Sequence, residues 1–421
     1  MDFGSLSEKL KKMGVSLGMQ PEPTSARKTR KLIEQVVEGR EIQTNFGSLF
    51  SSNHAYPEDY RLGNQALLPA RPTQGIARWA RTPHLAETSI ENFIFLDTET
   101  TGLSGGTGTM AFMVGVGRYR GGRFVMEQFF LRGPAEEAAL LAALEEFCRD
   151  MAAVVTYNGK SFDIPILNAR YILQGFTSPF EDLPHLDLLH LTRRIWKARL
   201  EQCNLGNIED KIFGLSRDAN EVPGYLIPEY YTQYLREGDA QPLKGIFVHN
   251  EQDVVSLAAL FALFTDVLHD PAAWQNDSSQ DLTSLGRLFE KLGDADSALS
   301  LYEKGRRVGG SPEPRVEPLL AQARLLKRQN RYQEAEALWL QAAESGALEA
   351  LEELAKFHEH QRGNPQIALE FTEQALSVMS RFSPEARSAQ REAAFVHRRE
   401  RLRSKLSRQR FESGGQKAVS D

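Results

Sequence analysis

Cysteine is almost missing from this chain: two residues, Cys148 and Cys203, in 421. Their spacing fits no metal-ligand pattern, and two cysteines build no disulfide framework. A zinc site and a disulfide-stapled fold are therefore not expected, and a reducing compartment is. Long apolar runs are missing as well. No stretch of about 18 apolar residues stands out, so no membrane-spanning helix and no membrane partner are expected. Met1–Gln20 carries Lys9, Lys11 and Lys12 and lacks the apolar core of a signal sequence, which makes the cytoplasm the expected location. An excess of positive charge is missing too. The net charge is −6, so the chain is not a general polyanion binder, and any nucleic-acid surface must be local. What remains is the composition of a globular protein, 41% hydrophobic and 25% charged, at a length that allows two or three domains.

The most informative stretch is Phe93–Leu103, Phe-Ile-Phe-Leu-Asp-Thr-Glu-Thr-Thr-Gly-Leu. Its four leading apolar residues predict a strand buried on both faces. It then runs into Asp97 and Glu99. A carboxylate at the end of a buried strand is costly unless paired or bound to a cation. Residues i and i+2 of a strand point the same way, so Asp97 and Glu99 converge. Two hard oxygen donors converging suit Mg²⁺ or Mn²⁺. A bare Asp-x-Glu is more often an acidic turn; the full string is far more specific.

From Ile90 to Leu268 the pattern is mixed α/β. Met110–Tyr119 and Arg123–Leu131 read as strands joined at Gly121-Gly122, a hairpin signal. Ala135–Met151 is helical by the spacing of Leu140, Leu141, Leu144 and Phe147, and Ala153–Thr156 is a short apolar strand. Tyr157-Asn158-Gly159-Lys160-Ser161-Phe162-Asp163 follows, with a helix expected from Asp163. Leu183–Leu191 reads as a fifth strand containing Asp187, taken as structural or secondary. A helix is expected to begin at Cys203–Glu209. Pro223–Pro242 reads as an aromatic loop whose tyrosines, Tyr225, Tyr230, Tyr231 and Tyr234, either pack or stack on single-stranded bases. His249 and Asp253, spaced i and i+4, share a helix face at the start of a strongly apolar helix. Gly102–Gly108 is glycine-rich but lacks the Gly-Lys-Ser/Thr of a phosphate loop. Upstream, Ser25–Glu38 reads as a helix. Gly39–Pro72 adds short strands or wraps the next domain. Trp79, with Arg71, Arg78 and Arg81 nearby, is either a nucleic-acid contact or an ordinary anchor.

Asp-Thr-Glu-Thr-Thr-Gly-Leu, then Asn-Gly-x-x-Phe-Asp ending at Asp163, then His249 with Asp253, resemble in that order the motifs of the DEDD 3′–5′ exonucleases, a branch of the ribonuclease H-like fold. With the C-terminal helices, the chain resembles the YprB-like family in particular. The resemblance implies an α/β ribonuclease H-like fold with a mixed five-stranded sheet and flanking helices, followed by an all-α region. It implies two-metal hydrolysis of DNA or RNA. Asp97, Glu99, Asp163 and Asp253 would hold two Mg²⁺ or Mn²⁺ ions, and His249 would act as general base. Thr100, Leu103 and Asn158 would touch the terminal nucleotide of a single-stranded end. The match departs at His249, which stands four residues before Asp253, where one branch of the family has tyrosine; Glu251 or water are the other candidate bases.

Beyond the polar stretch Pro271–Ser279, Ala298, Ala335 and Ala368 recur at offsets of 37 and 33 residues. Small residues follow seven later at Gly305, Ala342 and Ala375. Gly286 and Ala323 precede the first two by twelve, whereas the third has Lys356 beside Ala355. This resembles three tetratricopeptide repeats, which implies a concave surface for a protein partner; a generic helical bundle is the plainer reading. Arg381–Arg410 holds ten Lys/Arg against three Glu, a helix that tracks phosphates or a solvated tail. The expected domains are a partly irregular extension over 1–88, a ribonuclease H-like domain over 89–270, helical repeats over 280–380 and a basic tail over 381–421. An inactive nucleic-acid-binding scaffold of the same fold is the alternative function.

Overall fold

The computed structural model describes residues 30–102, 108–217, 222–308, 315–382 and 388–415, the last six by backbone only. Among these residues nine strands form in chain order: β1 Arg40–Thr44, β2 Gly47–Tyr56, β3 Arg61–Leu62, β4 Gln65–Ala66, β5 Phe93–Thr100, β6 Ala111–Arg120, β7 Arg123–Phe130, β8 Ala153–Thr156 and β9 His185–Asp187. Seven make one mixed sheet in the order β1-β2-β7-β6-β5-β8-β9, and β3-β4 is a separate small ribbon. The five expected strands are β5 to β9. The sheet is wider than expected because the N-terminal hairpin β1-β2 adds to the free edge of β7, pairing Phe50 with Phe130. Strands β5, β6 and β7 are antiparallel; β8 and β9 continue parallel to β5. Gly121 and Gly122 both take positive φ at the β6-β7 turn, as a two-residue hairpin requires.

The helices are α1 Gln74–Ala80, α2 Glu137–Phe147, α3 Asp163–Leu173, α4 Leu188–Trp196, α5 Leu205–Ile208, α6 Ile227–Glu237 and α7 Lys244–His269. Strand alternation explains how they are placed. Phe93 and Phe95 enter one core with Trp196 of α4 and Val254 and Phe261 of α7. Ile94 and Leu96 enter the other with Leu140 of α2 and Leu167 of α3. The strand is thus buried on both faces, as its apolar run predicts. Helix α7 is long and apolar enough by composition to cross a membrane, contrary to the reading of the sequence. Its apolar window is 72% buried within the fold, as for a core helix.

Three sequence expectations are corrected. Over residues 30–38 there is only a 3₁₀ turn, Ile33–Gln35, instead of a helix. The segment read as loop over Pro223–Pro242 contains α6, which starts with Pro228 in its first turn and ends at left-handed Gly238. Its Tyr231 is buried, stacked on Phe112 at 4.0 Å, while Tyr225 is 70% exposed. The fifth strand stops at Asp187, whose carboxylate accepts from Leu189 N and caps α4.

The C-terminal third is helical: α8 Ser279–Lys291, α9 Ala295–Arg307, α10 Val316–Arg328, α11 Tyr332–Glu344, α12 Leu348–His360, α13 Pro365–Ser380 and α14 Ala389–Gly415. Ala298, Ala323, Ala335, Ala342, Ala355, Ala368 and Ala375 are buried where these helices meet. A Cβ on Gly286 would lie 2.5 Å from the Tyr302 ring. The core of the sheet domain continues into this third through Leu282, Leu285 and Phe289. Arg199 binds buried Asp281 with two hydrogen bonds of 2.9 and 2.7 Å. Arg71 pairs with Asp270 and Arg78 with Asp294, and Trp79 packs against the core, so this cluster is an anchor. The basic helix α14 also lies against the protein. Arg391, Arg398, Arg401 and Arg403 pair with Glu352, Glu359 and Glu373.

Candidate active site

Asp97 and Glu99 continue the alternation of Phe93 and Phe95 and so emerge on the face covered by α7. The Asp97 carboxylate accepts a 3.0 Å hydrogen bond from Asn250 Nδ2 of that helix. Asn250 is fully buried, and its Oδ1 accepts from Gln128 Nε2 at 3.0 Å. This approach depends on Gly115, opposite Asp97 on β6; a Cβ there would lie 2.2 Å from Asn250 Oδ1. One residue earlier on α7, His249 Nε2 stands 3.9 Å from Glu99 Oε1 and 3.6 Å from Asp253 Oδ2. His249 and Asp253 thus share a face, as their spacing predicts. Glu251 points elsewhere, towards β2, where Tyr56 Oη donates to it and His54 Nδ1 lies 3.4 Å away.

Asp163 opens α3 as its first residue, and Phe162 holds the cap position. Its Oδ1 accepts from Thr98 Oγ1, the residue between Asp97 and Glu99 that faces the α3 side of the strand. The turn before it is held from below. Asn158 N and Lys160 N donate to the Asp187 carboxylate at 2.8 and 3.2 Å. That gives Asp187 its role: it ties this turn to α4. Asn158 sits at φ +67 and lines a cleft of about 590 Å³ together with Asp97 and Asp253. Thr100 Oγ1 donates to Gly102 O at 2.8 Å, beyond the bulge at Glu99 and Thr100. Leu103 lies outside the described residues.

Sequence reasoning missed Asn250, Gln128, Glu209 and Arg217. Helix α5 passes into a π-helical turn, Glu209–Phe213, closed by left-handed Gly214. Glu209 is fully buried and accepts from Arg217 and from Ser256 Oγ. Arg217 Nη2 also donates to Asp253 Oδ1. Only Asn250, a polar residue inside an apolar helix, left a signal that could have been followed.

Electrostatics bind the acidic residues together. Burial first, then Asp253, Asp163 and Glu99, hold the Asp97 carboxyl well above the usual range. Burial, Asp253 and Asp163 do the same to Glu99, against the pull of Arg217. Burial lifts Asp163 to about 6, although Thr98 and backbone donors oppose it. For Arg217, burial alone would lower the guanidinium, but Glu209 and Asp253 outweigh it and hold the charge in place. Three of the four carboxylates have a donor of their own: Asn250 for Asp97, Thr98 for Asp163, Arg217 for Asp253. Among the described residues no three His, Cys, Asp or Glu side chains are gathered into one ligand group. The donor set nonetheless fits a hard divalent cation: the repulsion that Asp253 and Asp163 exert on Asp97 and Glu99 is what such an ion relieves.

The ribonuclease H superfamily profile matches residues 94–265, the span that contains all these groups. The uncharacterized protein YprB of Bacillus subtilis (strain 168) is 35% identical over 293 residues, covering 68% of this chain and 69% of the relative. This chain belongs to the YprB family. A partial likeness also exists to the family B DNA polymerase of the hyperthermophilic archaeon Pyrobaculum calidifontis, at TM-score 0.32 and 16% identity. It covers 56% of this chain and 29% of the polymerase. By the profile match, the YprB-family chain has a ribonuclease H-type domain joined to a helical region.

Proposed function

We propose that the chain is a divalent-metal-dependent nuclease that removes nucleotides from the 3′ end of a DNA or RNA strand. The observation that carries this is that Asp97 and Asp253 line one cleft, with Glu99 and Asp163 near enough to raise the Asp97 carboxyl. Asp97, Glu99, Asp163 and Asp253 would hold Mg²⁺ or Mn²⁺, which supplies an activated water and stabilises the departing oxygen. His249 is the general base: of His249 and Glu251, it is the one that faces the carboxylates. Asn158 borders the terminal nucleotide. The helical hairpins α8–α9, α10–α11 and α12–α13, with small residues at their contacts, support a tetratricopeptide-like array that takes a protein partner.

The test is cleavage by Asp163→Asn and His249→Ala beside the wild type, in Mn²⁺ and in EDTA. Asp163→Asn abolishes metal-dependent cleavage. His249→Ala lowers kcat about 10²- to 10⁴-fold with little change in KM. Full activity in Asp163→Asn contradicts the reading. One observation favours the second reading, a nucleic-acid-binding scaffold: Arg217 already serves Asp253 as a cationic partner. Tight strand binding with no metal-dependent cleavage by the wild type selects that reading.

A further inference from the structure

The cleft that begins at Asp97 and Asp253 continues along α4 and carries charge of opposite sign at its other wall. Arg193 and Lys197 line it there, together with Tyr157 and Asn204. The two cations are one helical turn apart, about 5–6 Å between Cβ atoms, and so face the same space. Both are exposed, and among the described residues neither forms an ion pair. Their charges reach into the cleft, where both act on the Cys203 thiol and Arg193 also acts on the Tyr157 hydroxyl. Several exposed arginines elsewhere are spent on carboxylates, as Arg401 and Arg403 are on α14. Glu201 lines the same cleft, so the wall is not uniformly basic.

A strand end brought to four carboxylates is repelled unless something nearby attracts its backbone. Two unpaired cations beside the acidic end provide that attraction. We propose that Arg193 and Lys197 are a phosphate clamp, gripping the backbone of a nucleic-acid strand whose end lies at Asp97 and Asp253. This rests on the nuclease reading and names how the same cleft holds its substrate. The clamp is blind to base and sugar, since ammonium and guanidinium groups meet phosphate oxygens common to DNA and RNA.

The experiment is fluorescence anisotropy of the full chain with labelled oligothymidylate and oligouridylate, in EDTA to prevent cleavage, across a series of salt concentrations. Arg193→Gln/Lys197→Gln weakens binding of both probes at least tenfold at low salt. The slope of log K against log salt falls by about 1.4, since each lost phosphate contact on a single strand removes about 0.7. Arg194→Gln, on the same helix and exposed but outside the cleft, changes binding less than twofold. Equal effects of the double variant and Arg194→Gln, an unchanged slope, or no binding by the wild type at low salt overturns the clamp. Cleavage in Mn²⁺ separates the two claims. If the wild type cuts nothing but the double variant loses binding, the clamp stands and the nuclease reading falls. If the double variant binds and cuts like the wild type, the clamp falls alone.

Discussion

Arg217 is the residue that does most to hold the acidic end of the cleft together. It joins Asp253 to Glu209, a carboxylate with no solvent access. Removing one member of a buried pair leaves an uncompensated charge, at a cost of about 3–5 kcal/mol when burial is complete. The Arg217 side chain is 19% exposed. A smaller loss of about 2–3 kcal/mol is therefore expected for Arg217→Met. Urea unfolding should show it, and Arg217→Met/Glu209→Gln should recover most of it. A single variant within about 0.5 kcal/mol of wild type contradicts this role.

A pH dependence follows from the same cluster. Asp97 and Glu99 hold their protons above the usual carboxyl range, and Asp163 holds its proton to about 6. In the unfolded chain these groups ionise at lower pH. Their stabilising contribution is thus fully present below the ordinary carboxyl pKa and is lost as pH rises through the folded values, about 6 for Asp163. A divalent cation competes with the same protons, so its affinity rises with pH as these carboxyls give them up, Asp163 at about 6. Calorimetry of Mn²⁺ binding in buffers of different ionisation enthalpy should show proton release at about pH 5.5 that shrinks as pH rises. An affinity flat across this range contradicts the elevated carboxyls.

Among the elements, the turn between β8 and α3 sets the position of Asp163. A Cβ at Gly159 would lie 2.6 Å from Thr156 and 2.7 Å from Asp163 Oδ2. Gly159→Ala must therefore push the carboxylate aside, and cleavage should fall at least tenfold with a stability loss of about 1–3 kcal/mol. Gly133→Ala, where nothing lies within 4 Å of the added carbon, should leave both unchanged. Equal behaviour of the two variants contradicts the account.

This turn also shows what was legible in the sequence. Strand β8 and the start of α3 at Asp163 were readable because a short apolar run ending at Thr156 and an Asn-Gly turn leave little choice of conformation. Strand β5 was readable because a two-sided apolar run can only sit inside a sheet. Helix α6 was not, because Pro228 and four tyrosines look like a loop until the sheet face they cover is known. Arg217 was invisible for a similar reason: a π-helical turn and a long-range pair bring it to Asp253 across 36 residues.

On the scale of the whole molecule, the sheet domain and the first helices of the C-terminal third share one core. Trp196 stacks on Phe264 at 5.4 Å beneath Leu282, Leu285 and Phe289. Buried Asp281 is answered by Arg199 from the other side. A chain ended after Asn276 would bare this surface, and a large exposed apolar patch favours association. Such a chain should aggregate on size-exclusion chromatography or melt well below the full protein. A monomer with unchanged melting contradicts the shared core.

The central claim is metal-dependent cutting from a 3′ end by the Asp97 cluster. Its most direct test is incubation of the full chain with 5′-labelled single-stranded DNA and RNA in Mn²⁺, Mg²⁺ or EDTA, beside Asp97→Asn. The account predicts a ladder that shortens from the 3′ end and disappears in EDTA and in the variant. Cleavage that survives EDTA, or that is equal in Asp97→Asn, contradicts it.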